Sequence, residues 1–232
     1  LDIRRDERRT DVMEQSVTRI ALFTVKACPI GRNMGHVCQE IAARYPDIQI
    51  GTYFVEDDID ETNRYRIKRH PTVLFLDQHG KELYRAEGFT DTDEVARIIE
   101  QIRLQKLPST AAYDENAPVV EKYTIYLYRD GVPVPVDVEY NNATGVRAPR
   151  ITAVRLLLTT RPDHYENPFP EKTTLELIQF EGTRAVVHLR MRRGNFVPDR
   201  EKMKRLLQKT LAAFGIEEVQ VEMGDDSTAE RV

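Results

Sequence analysis

Tryptophan is missing from this 232-residue chain, and only two cysteines occur in it. That count excludes the dense disulfide framework that staples small secreted domains. Neither cysteine has the further pair of ligands that a structural zinc site needs. No apolar run approaches the ~20 residues of a membrane-spanning helix. The first residues also lack the apolar core of a signal peptide. Charge of one sign does not dominate: 34 basic against 38 acidic residues leave a net charge of -4. Such a balance gives no overall pull toward nucleic acid or an anionic membrane, so neither is expected as a partner. No glycine-rich phosphate loop follows a predicted strand, and no His/Cys cluster has metal-ligand spacing, so no metal or bound cofactor is expected. Two unpaired thiols favour a reducing, cytoplasmic setting. The first residue is Leu1, so the cell envelope is the alternative if a leader has been removed.

What is present is the composition of a globular protein, 41% hydrophobic and 31% charged, long enough for two ordinary domains. Residues 21–34 organise it. The apolar run Ala21-Leu22-Phe23-Thr24-Val25 stops at Lys26-Ala27-Cys28, and Pro29 follows at what reads as the first position of a helix. Cys28 is thereby expected at a helix N-terminus, where unpaired N–H groups and the macrodipole stabilise a thiolate. The position three residues on, where a resolving cysteine would stand, is Gly31. Cys28 and Cys38 on one helix would lie ~15 Å apart, beyond the ~7 Å that a disulfide spans between Cα atoms.

Taken in order, residues 1–16 form a charged arm of mixed sign. A strand over 17–25, a helix from 29 to 45 and a second strand over 48–55 follow. The acidic run Glu56-Asp57-Asp58-Ile59-Asp60-Glu61 leads into a short helix near 62–67. It lacks the alternating ligands and internal glycine of a calcium loop and reads as a solvated helix start. A hairpin with its turn at Gln78-His79-Gly80 comes next, then Gly88, a cap at Thr90 or Asp91, and a helix over 93–104.

This βαβα-ββα order resembles the thioredoxin superfamily over residues 17–105. Cys28-Pro29 stands at the family's nucleophile position, Pro71-Thr72 at its cis-proline loop, and Gly88 at a glycine beyond the hairpin. The resemblance implies a cis bond at His70-Pro71. It also implies that His70 packs beside the nucleophile as a base able to pair with a thiolate, and that Pro29, Pro71 and Thr72 shape a peptide-binding edge. Two positions depart from the family's pattern: Ala27 stands where tryptophan is usual, and Leu22 where an acidic proton acceptor is usually buried.

Residues 106–120 lose periodicity between prolines and read as a linker. Beyond it, strands are predicted over 123–128, 132–140, 174–180, 185–190 and 219–223, with helices over 151–158 and 199–214 and a disordered tail over 225–232. The stretches Tyr-Thr-Ile-Tyr-Leu-Tyr at 123–128, Ala-Val-Arg-Leu-Leu-Leu at 153–158 and Phe-Pro-Glu-Lys-Thr-Thr-Leu at 169–175 make residues 121–224 similar to the GerMN module of bacterial sporulation and germination proteins. Residues 175–221 are also similar to the carboxyl-terminal domain of NifU-type iron–sulfur scaffolds. The loop that carries that family's Cys-x-x-Cys is here Arg192-Arg193-Gly194-Asn195, which has no thiolate to hold a cluster.

The fold class expected is α/β, a thioredoxin-like domain followed by a smaller-sheet α+β domain. The function expected is thiol-linked and of single-cysteine, monothiol type: Cys28 as nucleophile with His70 as its partner, in thiol–disulfide exchange or redox-linked protein binding. An external thiol, with glutathione as co-substrate, would release the adduct. The alternative is a non-catalytic protein-interaction scaffold on a degenerate thioredoxin fold, which Gly31 favours; a protein partner is expected on either reading. Cys38 reads as a buried core thiol and His188 as a satisfied sheet histidine. Arg190, Arg192, Arg193, Arg200, Lys202, Lys204 and Arg205 read as a solvated basic face without interleaved aromatics.

Overall fold

The computed structural model describes residues 16–107, 114–191 and 199–225. The N-terminal arm up to residue 15, part of the linker, Arg192, Arg193 and residues 226–232 lie outside the described residues. The described residues divide into two compact units: those within 16–25, 30–118 and 143–146 form the first, and those within 26–29, 119–142 and 147–225 the second.

In the first unit the elements run β1 (Arg19–Thr24), α1 (Pro29–Arg44), β2 (Gln49–Phe54), α2 (Ile59–Arg64), β3 (Thr72–Leu76), β4 (Glu82–Glu87) and α3 (Thr92–Arg103). The sheet order is β2-β1-β3-β4. β1 is parallel to β2, as a helical crossover requires, and antiparallel to β3, which turns back into β4. The two central strands have little exposed surface, and their sequences are accordingly continuous apolar runs. Ile20, Leu22, Met34, Ile41, Val73, Phe75 and Ile99 fill the core between sheet and helices. Each such side chain contributes about 1.5–3 kcal/mol by leaving water. The cap on α3 is Asp91, whose carboxylate accepts from Glu94 N–H at 2.8 Å. In the hairpin turn, Asp77 Oδ1 accepts from the N–H groups of His79 and Lys81, each at 2.8 Å.

The short helix begins earlier than its sequence suggests, at Ile59 instead of 62. Asp60 and Glu61 fall in its first turn, where carboxylates complement the helix dipole. Its end is held by a residue the sequence gives no reason to notice. Arg85, on β4, donates to the carbonyls of Tyr65 at 2.6 Å and Arg66 at 3.2 Å and grips the Glu82 carboxylate through Nε and Nη2.

The second unit holds two sheets. β5 (Val119–Arg129) and β6 (Val132–Asn142) form a two-stranded ribbon. Its turn is Asp130-Gly131, both at positive φ, 52° and 76°, the conformation that a tight hairpin turn demands. Arg129 faces Val132 across that turn. Counting outward from that pair, alternate residues of β6 bond to β5, and Pro133 and Pro135 fall at the positions facing away. A strand edge lacking those N–H groups cannot be extended there. α4 (Pro149–Thr159) follows, with Pro149 in its first turn. β7 (Thr174–Glu181), β8 (Arg184–Met191) and β9 (Glu218–Asp225) form the other sheet in that order, β8 and β9 parallel across α5 (Arg200–Ala212). Asp199 caps α5, accepting from Lys202 N–H at 3.0 Å. Ile125, Leu127, Val154, Leu157, Val187, Leu206 and Leu211 are among the side chains closed off from solvent.

Candidate functional site

β1 ends at Thr24, and Pro29 is the first residue of the 16-residue α1, so Cys28 immediately precedes a helix N-terminus. Ala27, just before it, takes φ +63°, a left-handed conformation that costs a residue with a Cβ about 1–2 kcal/mol. Such outliers persist where the surroundings over-determine them, and they cluster at functional loops. Within the second unit, to which residues 26–29 belong, the Ala27 carbonyl accepts from Ile178 N–H at 3.2 Å. Cys28 is only 7% exposed.

Gly31, in the first turn of α1, lies hard against Thr24. A Cβ built on Gly31 would stand 1.8 Å from Thr24 Oγ1 and 2.9 Å from its Cβ. Thr24 is itself buried. No cysteine fits at position 31 without displacing a core residue.

His70, Pro71 and Thr72 sit together on the loop that opens β3. The His70-Pro71 bond is cis. Thr72 Oγ1 donates to the Arg69 carbonyl at 2.9 Å, and the Pro71 carbonyl accepts from Gly88 N–H at 2.8 Å. Two landmarks of the sequence, Pro71 and Gly88, thus meet in one braced loop. Beside it stands Phe89, 55% exposed, and the first turn of α1 carries Ile30, 50% exposed. Neither stands out in the sequence, where single apolar residues beside Pro29 and Gly88 look ordinary.

Cys38 is buried on α1, and both cysteines are free. Burial pushes its thiol up to about 11, so at neutral pH it is inert toward electrophiles. Leu22 is fully buried.

The second unit carries its own polar cluster. Glu121 accepts a short bond from the Tyr123 hydroxyl, another from Asn142 Nδ2 at 3.0 Å, and pairs with Arg147 at 3.5 Å. Burial and then the Glu121 carboxylate raise the Tyr123 hydroxyl above the usual phenol range. His188 pairs through Nδ1 with Glu222 at 3.1 Å, while its Nε2 is buried with no hydrogen-bond partner among the described residues. Aromatics do reach the basic helix. Lys202 lies 5.3 Å from the Tyr128 ring centroid and Lys209 5.4 Å from that of Tyr126, both on β5. More than 70 residues of sequence separate these partners, which hid the pairing. Arg190 pairs with Glu176, and Lys202 with Glu166 at 3.0 Å. Among the described residues no group of three or more His, Cys, Asp or Glu side chains is arranged to hold a metal. No helix among them is long and apolar enough to cross a membrane.

Among solved structures the chain is similar to chloroplastic thioredoxin z, with 21% identity over 43% of this chain and 89% of that one, at a TM-score of 0.35. It is similar to the thioredoxin of Fasciola hepatica, with 18% identity over 42% and 92%, at 0.34. Thioredoxin NaTrxh of Nicotiana alata gives 24% identity over 44% and 88%, at 0.35. No protein-family model matches the chain, and no curated protein matches it. The thioredoxin-like fold of the first unit stands on its own strand order, its parallel β1–β2 crossover and cis-Pro71.

Proposed function

We propose that this is a single-cysteine, thioredoxin-fold protein that exchanges disulfides with a protein partner through Cys28. The observation that carries the reading is the position of Cys28, directly before the proline-initiated helix α1. There the N–H groups of the first turn, which a helix leaves without an intrahelical acceptor, stabilise a developing thiolate. His70 serves as its base. Pro29, Pro71 and Thr72 line the partner's path, and the exposed Ile30 and Phe89 supply apolar contact to an extended segment. The reaction leaves Cys28 in a mixed disulfide, which an external thiol of the glutathione class releases. The second unit acts as a GerMN-like module for binding the partner; its strand-strand-helix order followed by the β7–β9 sheet supports that reading.

One observation favours a second reading, a non-catalytic scaffold: Cys28 is 7% exposed, where nucleophiles need access. Alkylation decides between them. In the intact chain at pH 7, iodoacetamide should label Cys28 at least as fast as it labels free glutathione. Cys28→Ser should abolish the labelling, and His70→Ala should slow it several-fold. Labelling at the rate of Cys38, unchanged by His70→Ala, would leave the scaffold reading.

A further inference from the structure

We propose that Thr24 is the residue that makes this site single-thiol, by filling the space any side chain at position 31 would need. The inference rests on the reading of Cys28 as the reacting thiol and names what forbids a second one.

The geometry is confined to the first unit. Gly31 is buried in the first turn of α1, where glycine is the poorest helix former but proline. Nothing about its backbone demands glycine, since it lies within regular helix. What demands it is Thr24, at the C-terminal end of β1. Three of its side-chain atoms crowd the Gly31 Cβ position: Oγ1 at 1.8 Å, Cβ at 2.9 Å and Cγ2 at 3.3 Å. Outside their own residue and its chain neighbours, Cβ atoms essentially never come within 3.0 Å of a heavy atom. Rotating the threonine would clear Oγ1 but not Cβ. Thr24 cannot swing out of the way, because it is 3% exposed and its backbone is held in β1, paired with Phe54 on β2. Its hydroxyl is buried with no hydrogen-bond partner among the described residues. A hydroxyl left in that condition is a cost the fold carries, so the space at position 31 is filled at the expense of an unmade bond.

The chemical consequence follows by counting bonds. The Cys28 thiolate attacks one sulfur of a disulfide R–S–S–R′; the Cys28–S–S–R bond forms and R′–S⁻ leaves. In a two-thiol site a thiolate three residues on would then attack Cys28, release R–S⁻ and leave both electrons of the partner's reduction drawn from the protein. Thr24 excludes that thiolate, and its own hydroxyl forms no disulfide. Release requires an outside thiolate R″–S⁻, which attacks R–S–S–Cys28, forms R–S–S–R″ and restores the Cys28 thiolate. The protein passes the R–S group from R′–S⁻ to R″–S⁻ and is never itself oxidised to an internal disulfide. Its substrate class is the mixed disulfide, and the lifetime of its adduct is set by the concentration of external thiol.

Two measurements on the intact chain test this. The first is a cycle of urea midpoints for Gly31→Ala in three backgrounds: Thr24, Thr24→Ala, which removes the 1.8 and 3.3 Å contacts, and Thr24→Gly, which removes all three. Gly31→Ala should lower the midpoint with Thr24 present, lower it less with Thr24→Ala, and raise it with Thr24→Gly, because alanine is the better helix former. The same effect in all three backgrounds overturns the proposal. The second is internal disulfide capture. Gly31→Cys and Thr24→Gly/Gly31→Cys are equilibrated with oxidised and reduced dithiothreitol. Loss of two hydrogens is read on the tryptic peptide 27–32, which carries both sulfurs. The double variant should close at least 10-fold more readily, including the case in which Gly31→Cys alone does not fold. Equal closure overturns the proposal. The stability cycle does not depend on Cys28, so a Cys28 that resists alkylation in the parent chain would defeat the proposed thiol chemistry while the cycle still decides the role of Thr24.

Discussion

Arg85→Ala tests how the loop that carries His70 is held. The Arg85 side chain is 4% exposed and the Glu82 side chain 19%. Removing the guanidinium strands that carboxylate in a half-closed pocket and takes a donor from the carbonyls of Tyr65 and Arg66. A hydrogen bond involving a charged group contributes about 1.5–3 kcal/mol, and breaking a buried pair from one side costs about 3–5 kcal/mol, chiefly through the charge left behind. A loss of about 3–5 kcal/mol is expected, a large part of a domain's usual 5–15 kcal/mol. The assay is urea unfolding of the intact chain by far-UV circular dichroism, with hydrogen exchange read by mass spectrometry over residues 59–88. Protection should fall first at residues 59–66 and at the loop leading to Pro71. Arg85→Met with Glu82→Leu removes both charges together and should recover most of the loss, because an apolar pair of similar volume does as well as a buried ion pair. A cost below about 1 kcal/mol for Arg85→Ala, or a double variant no better than the single, would refute the reasoning.

Two further outcomes are expected. The Cys38 thiol is raised from 9.0 to about 11 by burial. The neutral thiol therefore contributes stability that is fully present below pH 9 and lost as pH rises through 11, at most ~3 kcal/mol at about 1.4 kcal/mol per pKa unit; the fall in that window should be shallower in Cys38→Ala by about that amount, the remainder coming from raised tyrosines such as Tyr123, compared by urea midpoint at each pH. Ala27→Gly relieves a left-handed alanine, φ +63°, and should stabilise the chain by about 1 kcal/mol, read as a raised midpoint; a lowered one would place the strain elsewhere.

Strongly patterned segments were the legible ones. β1 and β3 are buried on both faces and read as unbroken apolar runs, α3 shows Val95, Ile98, Ile99 and Ile102 at helical spacing, and Pro71 and Gly88 mark the loop they form. The residues that escaped act through partners far along the chain. Arg85 looks like any charged residue on an edge strand until Tyr65 and Arg66, some 20 residues earlier, arrive beneath it. Glu121 looks like a solvated carboxylate until Asn142 and Arg147 close on it. Gly31 was legible as a missing cysteine, but its cause was not: Thr24 is seven residues away in sequence and on a different element, and only the packing of strand against helix brings them into collision. The split of the second unit into a ribbon and a separate three-stranded sheet also had no local signature, since each strand carries the same alternation.

The Val-Pro-Val-Pro-Val-Asp-Val run of β6 has a consequence for how that hairpin finds its alignment. Valines 132, 134, 136 and 138 face Arg129, Leu127, Ile125 and Tyr123 on β5. Sliding β6 by two residues would return valine to nearly every one of those places and keep all of them on the same face. The valine face of the ribbon is thus silent about its own alignment. The information sits elsewhere: in Asp130-Gly131, whose backbone admits only a tight turn at that point, in the Thr124 hydroxyl, which donates to the facing Asp137 at 2.7 Å, and in Asn142, whose amide reaches Glu121 only when the strands are correctly aligned. Eleven residues of strand on each side are set in place by one turn and a few polar atoms.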